Sequence, residues 1–287
     1  MTALRFPLLF LASASLFGCQ PDPPTLRTAK PTETPPATLL ELKPPDKPAQ
    51  SSPEAQKKLD AMLAAHTGGK PERLQLLKSC SFTRTGGMAL NGTLSAATQT
   101  VDVQWPARFK HSTEVTGETV GLIAGGLTPE GNWISQSSRP FGEAAPLARP
   151  KQKLPDELLP TLQRQMQEDA CFLLFPFADP QTRALLADDA KLGERDCYGL
   201  HVWTPALEYA LLHIDKKTDT LVRMAFTGHE SGKNVLKELL IDESPEHAGV
   251  KLGSKVYVRA AGIDLAEWRS LKVAAGKTFD AKYFDGP

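Results

Sequence analysis

The sequence predicts an α+β fold that is mainly β: a single curled antiparallel sheet of about eleven strands, covered by helices. Most of the chain after residue 80 consists of short segments in which apolar and polar residues alternate, which is typical of strands with one buried face. Short polar turns join these segments and favour antiparallel neighbours. Few stretches have helical spacing, and a sheet of this many strands is expected to curl.

The composition is that of an ordinary globular protein. Of the 287 residues, 41% are hydrophobic and 23% are charged, with 33 basic and 33 acidic side chains. A neutral chain without a basic run offers no counterion-release binding to phosphates, so we expect no nucleic-acid partner. We expect the folded part to be a monomer.

The first nineteen residues predict secretion and lipidation. Arg5 precedes an apolar run at 6–17, which is shorter than the roughly 20 residues of a membrane-spanning helix and is typical of a signal peptide. Leu16-Phe17-Gly18-Cys19 resembles the bacterial lipobox, so we expect residues 1–18 to be removed and Cys19 to carry the acyl anchor. Gln20 after the cysteine favours the outer membrane of the cell envelope, facing the periplasm.

Residues 19–53 are rich in Pro, Thr, Ala and Lys, and they predict a disordered tether. Such a segment, in part polyproline II, could hold the folded domain up to about 100 Å from the bilayer. We therefore expect one folded domain, at residues 54–287.

Within that domain, Pro in the first turn and Leu59, Met62 and Leu63 at helical spacing predict a helix at 53–65, ended by Gly68-Gly69. A helical turn at 71–79, a second long helix at 155–175 and a short helical stretch at 180–187 are also expected. The polar residues 216–220 predict a hairpin turn. Strands are expected at 81–85, 101–105, 109–115, 118–123, 132–136, 197–204, 209–215, 221–227, 236–244, 256–260 and 268–274.

The clearest strand pattern is the one at 101–105. Val101, Val103 and Trp105 share one face, and Asp102 and Gln104 share the other. We therefore expect one face of this strand to be buried and the other to be exposed to solvent.

Three cysteines, Cys80, Cys171 and Cys197, would lie in an oxidising compartment. They can form at most one disulfide within the chain, and Cys171 with Cys197 is the candidate pair, because it would join the inserted helix to the following strand. Three buried free thiols remain the alternative.

Four segments resemble the superfamily of lipoprotein-sorting carriers that includes LolA and LolB. They follow in order along most of the chain after residue 54: 65–74 (AHTGGKPERL), 101–109 (VDVQWPARF), 213–224 (HIDKKTDTLVRM) and 278–287 (TFDAKYFDGP). The periplasmic carrier has a basic residue immediately before the proline of the second segment, where this chain has Trp105.

This resemblance implies an unclosed antiparallel β-barrel with a helical lid, formed by the helices at 53–65 and 155–175. It also implies a hydrophobic cavity that binds lipid or lipoprotein acyl chains. The candidate lining residues are Val101, Val103, Trp105, Phe109, Phe172 and Phe175. The alternative is that these residues form a packed core, in a lipoprotein that serves as a scaffold or docking module.

The sequence contains no pattern that indicates an enzyme. Its six histidines include no His-Glu-x-x-His, no serine lies in a Gly-x-Ser-x-Gly elbow, and no glycine-rich phosphate loop follows a strand. We therefore expect no catalytic residue, no metal and no cofactor.

Overall fold

The computed structural model of this protein describes residues 42–90, 93–117, 119–143, 147–230, 233–280 and 282–287. The predicted signal peptide, Cys19 and the tether as far as residue 41 lie outside the described residues. No helix among the described residues is long and apolar enough to span a bilayer.

The described residues contain three α-helices, α1 at Pro53–Thr67, α2 at Arg73–Leu76 and α3 at Leu159–Phe172. Short 3₁₀ turns flank α3 at Asp156–Leu158 and Phe175–Ala178. Helix α1 begins where the Ser52 hydroxyl accepts a hydrogen bond from the Ala55 amide at 3.3 Å. It ends at Gly68, whose φ of 62° lies in the left-handed region that favours glycine, so the predicted bounds of this helix are nearly correct.

The strands are β1 (Ser79–Leu90), β2 (Thr93–Gln104), β3 (Arg108–Thr116), β4 (Thr119–Leu127), β5 (Trp133–Pro140), β6 (Gln152–Lys153), β7 (Arg183–Leu192), β8 (Arg195–Trp203), β9 (Ala210–Asp215), β10 (Leu221–Glu230), β11 (Lys233–Glu243), β12 (Glu246–His247), β13 (Val250–Lys251), β14 (Lys255–Ala260) and β15 (Ile263–Ala275). Thirteen of them form one sheet in the order β6-β5-β4-β3-β2-β1-β15-β14-β11-β10-β9-β8-β7, while β12 and β13 pair separately. All the pairs are antiparallel, which confirms a mainly β fold built on one antiparallel sheet.

The sheet has two more strands than predicted, β6 and β7. The stretch at 180–187, predicted to be helical, enters β7 at Arg183, and Leu186 pairs with Leu200 of β8. Pairing with the neighbouring strand decides this segment, because strand formation depends on cross-strand contacts more than on local propensity. The predicted hairpin is confirmed, since β9 and β10 pair on either side of the turn.

The sheet has two faces that differ in their cover. We call the face that carries α1 and α3 the helix face and the opposite one the outer face. The helix face and the two helices form one hydrophobic core, whose members include Leu59, Met62, Phe82, Val101, Val103, Phe109, Leu162, Phe172, Leu200, Leu212, Met224 and Leu239.

The outer face is not exposed to solvent at every position, and the prediction that Asp102 is exposed is wrong. This residue is on the outer face but is only 3% exposed, because the C-terminal segment crosses it. The Tyr283 hydroxyl donates to Asp102 Oδ2 at 3.0 Å, and Trp133 Nε1 donates to the Phe284 carbonyl at 2.6 Å. Gln104, in contrast, is partly exposed.

The end of the predicted tether contacts the edge strand β7. The Ser52 amide donates to the Ala184 carbonyl at 3.1 Å, and the Ala184 amide donates to Ser51 Oγ at 3.0 Å. Arg183 Nε donates to the Ala49 carbonyl at 3.1 Å. Residues 49–52 therefore pack on the domain and partly cover this edge of the sheet.

Candidate functional site

The six candidate acyl-binding residues lie on the helix face or directly against it. Val101 and Val103 of β2 and Phe109 of β3 are fully buried, and Val103 pairs with Phe109 across the two strands. The Trp105 ring meets the Phe175 ring edge-on at 5.6 Å between centroids, and Phe172 packs on Phe82 at 5.7 Å. The structure thus brings all six into one hydrophobic cluster.

Two surface grooves among the described residues are lined by other parts of the chain. One, of about 470 Å³, lies between α1, the Phe175–Ala178 turn and β7. The other, of about 330 Å³, lies over β1, β2 and β3 around Thr98. None of the six candidate residues lines either groove.

Helix α3 and the turn that follows it pack on the helix face next to these residues, Phe172 from the helix and Phe175 from the turn. The first half of α3 approaches the sheet closely because β4 has Gly125 there: a Cβ at this position would lie 3.3 Å from Leu162 Cδ2. Its second half is buried from Glu168 to Phe172. The chain then turns through Leu174, whose φ of 67° ends the helix, and enters the buried Phe175 turn.

Two buried ion pairs fix α3 to the sheet. Arg84 of β1 contacts Asp169 at 3.2 Å, and Lys237 of β11 contacts Glu168 at 2.8 Å. The side chains of all four are 8% exposed or less. The sequence analysis did not predict this arrangement. A signal was nevertheless present, because each cation shares a strand face with apolar residues: Arg84 lies two residues after Phe82, and Lys237 lies two residues before Leu239.

Polar side chains extend this cluster along the helix face. Arg84 Nε donates to Gln99 Oε1 at 2.6 Å, and Gln99 Nε2 donates to Thr113 Oγ1 at 2.9 Å. On α3, Gln165 Nε2 donates to Asp169 Oδ2 at 3.0 Å. The carboxylate of Asp169 is thus held by two partners, which a buried acid requires.

Burial dominates the electrostatics of this cluster. It raises the pKa of Asp169, an effect that nearby Arg84 partly offsets, and it lowers the pKa of Arg84. Burial also lowers the pKa of His111, on the same face of β3, to about 4, with a smaller contribution from the Arg84 charge. His111 is therefore neutral at pH 7.

The region around Arg84 also contains polar atoms that have no partner. The Arg84 guanidinium lies 4.8 Å from the centre of the Trp268 ring and 5.5 Å from that of Phe172. Trp268 Nε1 and His111 Nδ1 are buried and make no hydrogen bond. Such groups are costly unless something binds them.

The candidate disulfide is not formed, and all three described cysteines are free and buried. Cys171 belongs to the core on the helix face, whereas Cys197 alternates along β8 with the core residues Tyr198 and Leu200. Cys197 therefore points to the outer face, away from Cys171. Of the two alternatives left open by the sequence, the structure has the free thiols.

No group of three or more His, Cys, Asp or Glu side chains among the described residues could hold a metal ion. The predicted lipidation site, Cys19, lies outside the described residues.

The structure is similar to several solved structures, one of which is named as a member of the LolA superfamily. A LolA superfamily protein from Nitrosomonas europaea aligns at 12% identity and a TM-score of 0.45, over 80% of this chain and 96% of that one. An outer membrane lipoprotein-sorting protein domain from Vibrio parahaemolyticus aligns at 10% identity and a TM-score of 0.39, over 81% and 96%. The Pseudomonas aeruginosa complex of MucB with its partner MucA aligns at 13% identity and a TM-score of 0.24, over 78% and 59%.

No protein-family model and no curated protein matches the sequence. At these identities and scores, the similarity says nothing about what this protein binds.

Proposed function

We propose that this protein is a membrane-anchored envelope lipoprotein that binds acyl chains of lipids or lipoproteins between α3 and the helix face. The sheet would curl around α3 as an unclosed barrel, and the bound chain would take the place of α3 on Val101, Val103 and Phe109. Burial of each methylene group would contribute about 0.8 kcal/mol, which has to exceed the cost of lifting the helix.

The observation that carries this proposal is the way α3 is attached. Its most buried contacts with the sheet include the ion pairs Arg84–Asp169 and Lys237–Glu168. The attraction within a buried pair is largely offset by lost hydration, and the charges regain hydration when the pair separates into water. Lifting α3 would therefore cost less than lifting a helix with a purely apolar contact of the same area.

The segment after α3 provides a pivot for this movement. Leu173, Leu174, Phe175 and Phe177 are each 2% exposed or less. The first turns of α3 are less buried, with Leu162 as their buried contact. We expect the whole of α3, with Glu168 and Asp169, to move away from the sheet while the Phe175 turn stays in the core.

A second candidate function is a docking or scaffold lipoprotein with a permanently packed core. The complete burial of Val101, Val103 and Phe109 favours it, because a helix face that never opens would have this packing. The two functions differ in whether the helix face opens and binds an acyl chain.

Val103→Phe separates the two functions. The full chain carrying Cys19→Ala, which removes the covalent acyl group, is titrated with a fluorescent fatty acid, and its Tm is measured. If the helix face opens, the parent protein binds the probe, and the added ring weakens this binding because it fills part of the binding space. If the core is permanently packed, the ring overpacks it, costs about 1–3 kcal/mol, and neither protein binds the probe.

Thr98→Phe is the matched control, because Thr98 is exposed on the outer face of the same strand. It should leave both the probe affinity and the Tm unchanged. A parent protein that never binds the probe, together with a strongly destabilised Val103→Phe, would contradict acyl binding and leave the docking function.

The membrane anchor is tested separately. Since the lipobox is the membrane-attachment signal in the sequence, Cys19→Ala should move the protein from the detergent phase to the aqueous phase in a Triton X-114 partition. Unchanged partitioning of the variant would contradict lipidation at Cys19.

A further inference from the structure

His66 joins the C-terminal end of α1 to two other elements. It is only 2% exposed, and its Nε2 accepts a hydrogen bond from the amide of Leu221, the first residue of β10, at 2.9 Å. Its Nδ1 is 2.5 Å from the carbonyl oxygen of Lys251, at the end of β13. A backbone amide can only donate and a carbonyl can only accept, so Nε2 carries no proton and Nδ1 carries one. This junction therefore requires a neutral imidazole.

Protonation of His66 would break one of these two bonds and keep the other. The added proton can go only to Nε2, where it would face the Leu221 N–H, and two donors cannot bond to each other. The bond from Nδ1 to the Lys251 carbonyl would remain and would become charge-assisted. A charged His66 would therefore separate α1 from β10 but stay attached to β13.

The β12–β13 hairpin, at residues 246–251, is joined to the end of α1 by a second contact. Arg73 Nη1 donates to the Thr67 carbonyl at 3.0 Å and to the Gly249 carbonyl at 2.7 Å. The hairpin is paired outside the thirteen-stranded sheet, and mild acid does not change the charge of a guanidinium. The end of α1 and the hairpin thus form one unit, which we call the α1–hairpin unit.

The opposite end of α1 is attached through groups that do not titrate. The Ser52 amide donates to the Ala184 carbonyl of β7 at 3.1 Å, and Ser51 Oγ accepts a hydrogen bond from the Ala184 amide at 3.0 Å. Acid leaves these bonds intact, so this end provides a pivot. Movement of the other end away from β10 would uncover the apolar side chains that α1 packs into the core, Leu59, Met62 and Leu63.

The surroundings of His66 favour its neutral form. Burial lowers the pKa of His66, the bond to the Lys251 carbonyl partly opposes this effect, and the charge of Lys251 lowers the pKa further. Arg223 of β10 pairs with Glu238 on the outer face, away from α1. The other charged or titratable side chains on the surrounding elements are Glu246 and His247 of β12, Arg73 of α2 and Asp219 in the turn before β10. Burial also lowers the pKa of His247, so a test has to separate the two histidines.

We propose that His66 is a proton-sensitive latch, which holds the α1–hairpin unit to β10 at neutral pH and releases it in mild acid while the thirteen-stranded sheet stays folded. In the released unit the imidazole binds a proton near pH 6.5, whereas in the closed unit it binds one only at a lower pH. The latch is therefore at full strength above about pH 6.5. Below that pH, each unit of pH increases the equilibrium constant for release by up to about tenfold, until His66 is protonated in the closed unit as well.

Hydrogen exchange tests the latch, because it measures local opening in the folded protein. The full chain carrying Cys19→Ala is compared at about pH 7.5 and about pH 5.5, with rates corrected for the intrinsic pH dependence of exchange. Exchange in 53–67 and 246–251 should be faster at the lower pH by up to about tenfold, whereas β2 and β3 stay protected. No increase in α1 would contradict the latch, and an equal increase in β2 would indicate unfolding of the whole domain instead.

Substitutions of the two histidines separate their contributions. His66→Gln keeps one acceptor and one donor for Leu221 and Lys251 but cannot be protonated, so exchange in α1 should not depend on pH. His66→Leu removes both bonds and should give fast exchange in α1 at either pH. His247→Gln is the matched control and should exchange as the parent protein does. A pH dependence that persists in both His66 variants, or that disappears in His247→Gln, would contradict the proposal.

The latch would also regulate access to the helix face, and this part rests on the proposed acyl-binding function. The probe is the methyl ester of a fluorescent fatty acid, which has no charge that changes with pH. Because release of α1 uncovers apolar surface, the parent protein should bind the ester severalfold more tightly at about pH 5.5 than at about pH 7.5, and His66→Gln equally at both. Equal binding by the parent protein at both values would contradict this regulation. Exchange that fits the latch, without binding of the ester at either pH, would contradict acyl binding and leave the latch itself intact.

Discussion

The two faces of the sheet use buried charge in different ways. On the outer face, Arg223 and Glu238 are 15 residues apart and belong to the paired strands β10 and β11, with Nε and Nη2 of Arg223 at 2.8 and 2.6 Å from Glu238 Oε1. On the helix face, Arg84 and Asp169 are 85 residues apart and join a strand to a helix. The Arg223–Glu238 pair lies within the sheet, whereas the Arg84–Asp169 pair connects the sheet to helix α3.

This difference separates parts of the molecule that can move from parts that cannot. The outer pair is parallel to a backbone hydrogen-bond ladder, so it breaks only if the β10–β11 hairpin opens. The Arg84–Asp169 pair has no such ladder beside it, because helix and sheet meet only through side chains. Charge on the helix face can therefore exchange partners while the sheet stays intact.

The largest expected effect comes from breaking the pair between layers. Arg84→Met should lower the free energy of unfolding by about 3–5 kcal/mol, because Asp169 is left buried without its cation. Combining it with Asp169→Leu should restore the loss and can stabilise the protein by about 1–4 kcal/mol, since an apolar pair needs no dehydration of charge. Urea unfolding measures both values.

Hydrogen exchange then locates the effect. Arg84→Met should accelerate exchange in α3, whereas Arg223→Met should accelerate it in the β10–β11 hairpin and leave α3 unchanged. If both substitutions loosened the same residues, the distinction between the two faces would be wrong.

Acidification should weaken both faces. Burial lowers the pKa of His111 on the helix face and of His213 on the outer face to about 4, with Arg84 and Arg223 as nearby charges. The unfolded chain binds these protons below pH 6.5, so stability is fully present above that pH and falls toward pH 4. We expect a loss of about 1–2 kcal/mol per histidine between pH 7 and pH 5.

Two variants separate the contributions of His111 and His213 to this pH dependence. His111→Gln and His213→Gln should each remove one histidine's share of the slope of unfolding free energy against pH. Asp169, whose pKa burial raises, acts in the opposite sense, since its protonation in the folded state above pH 3.8 adds stability as the pH falls. An unchanged slope in both histidine variants would show that neither residue is buried in its neutral form.

A smaller effect is expected where the C-terminal segment covers the outer face. Tyr283→Phe removes the hydroxyl that donates to Asp102 at 3.0 Å and should cost about 0.5–1.5 kcal/mol. In a double-mutant cycle, the same substitution should cost almost nothing once Asp102 is Ala. Equal costs in the two backgrounds would mean that this contact does not hold the segment.

The smallest effect is expected from a reducing agent, which should leave the Tm unchanged. Cys171 and Cys197 lie on opposite faces, and burial raises the pKa of Cys80 to about 12 and of Cys197 to about 11, which disfavours the reactive thiolates. Thiol counting under denaturing, non-reducing conditions should find three free thiols at Cys80, Cys171 and Cys197. Finding a single free thiol would instead indicate the disulfide.

Several features of the fold could be predicted from the sequence because their causes are local. The alternation of apolar and polar residues around Val101 and Val103 predicts a strand. The proline at the start of α1 and the glycine at its end predict the bounds of that helix. The turn after Asp215 predicts the β9–β10 hairpin. In each case, the residues that decide the conformation lie within a few positions of it.

Other features were decided only by the tertiary structure, because they depend on which distant segment covers a given face. Residues 183–192 form β7 because β8 pairs with them, and Asp102 is buried because Tyr283 crosses over it. Arg84 and Lys237 are charged residues on strand faces that are otherwise apolar, and this signal is present in the sequence. The acidic residues that pair with them belong to a helix 69–85 residues away. Alternation assigns a side chain to a face, and only the assembled layers determine what that face meets.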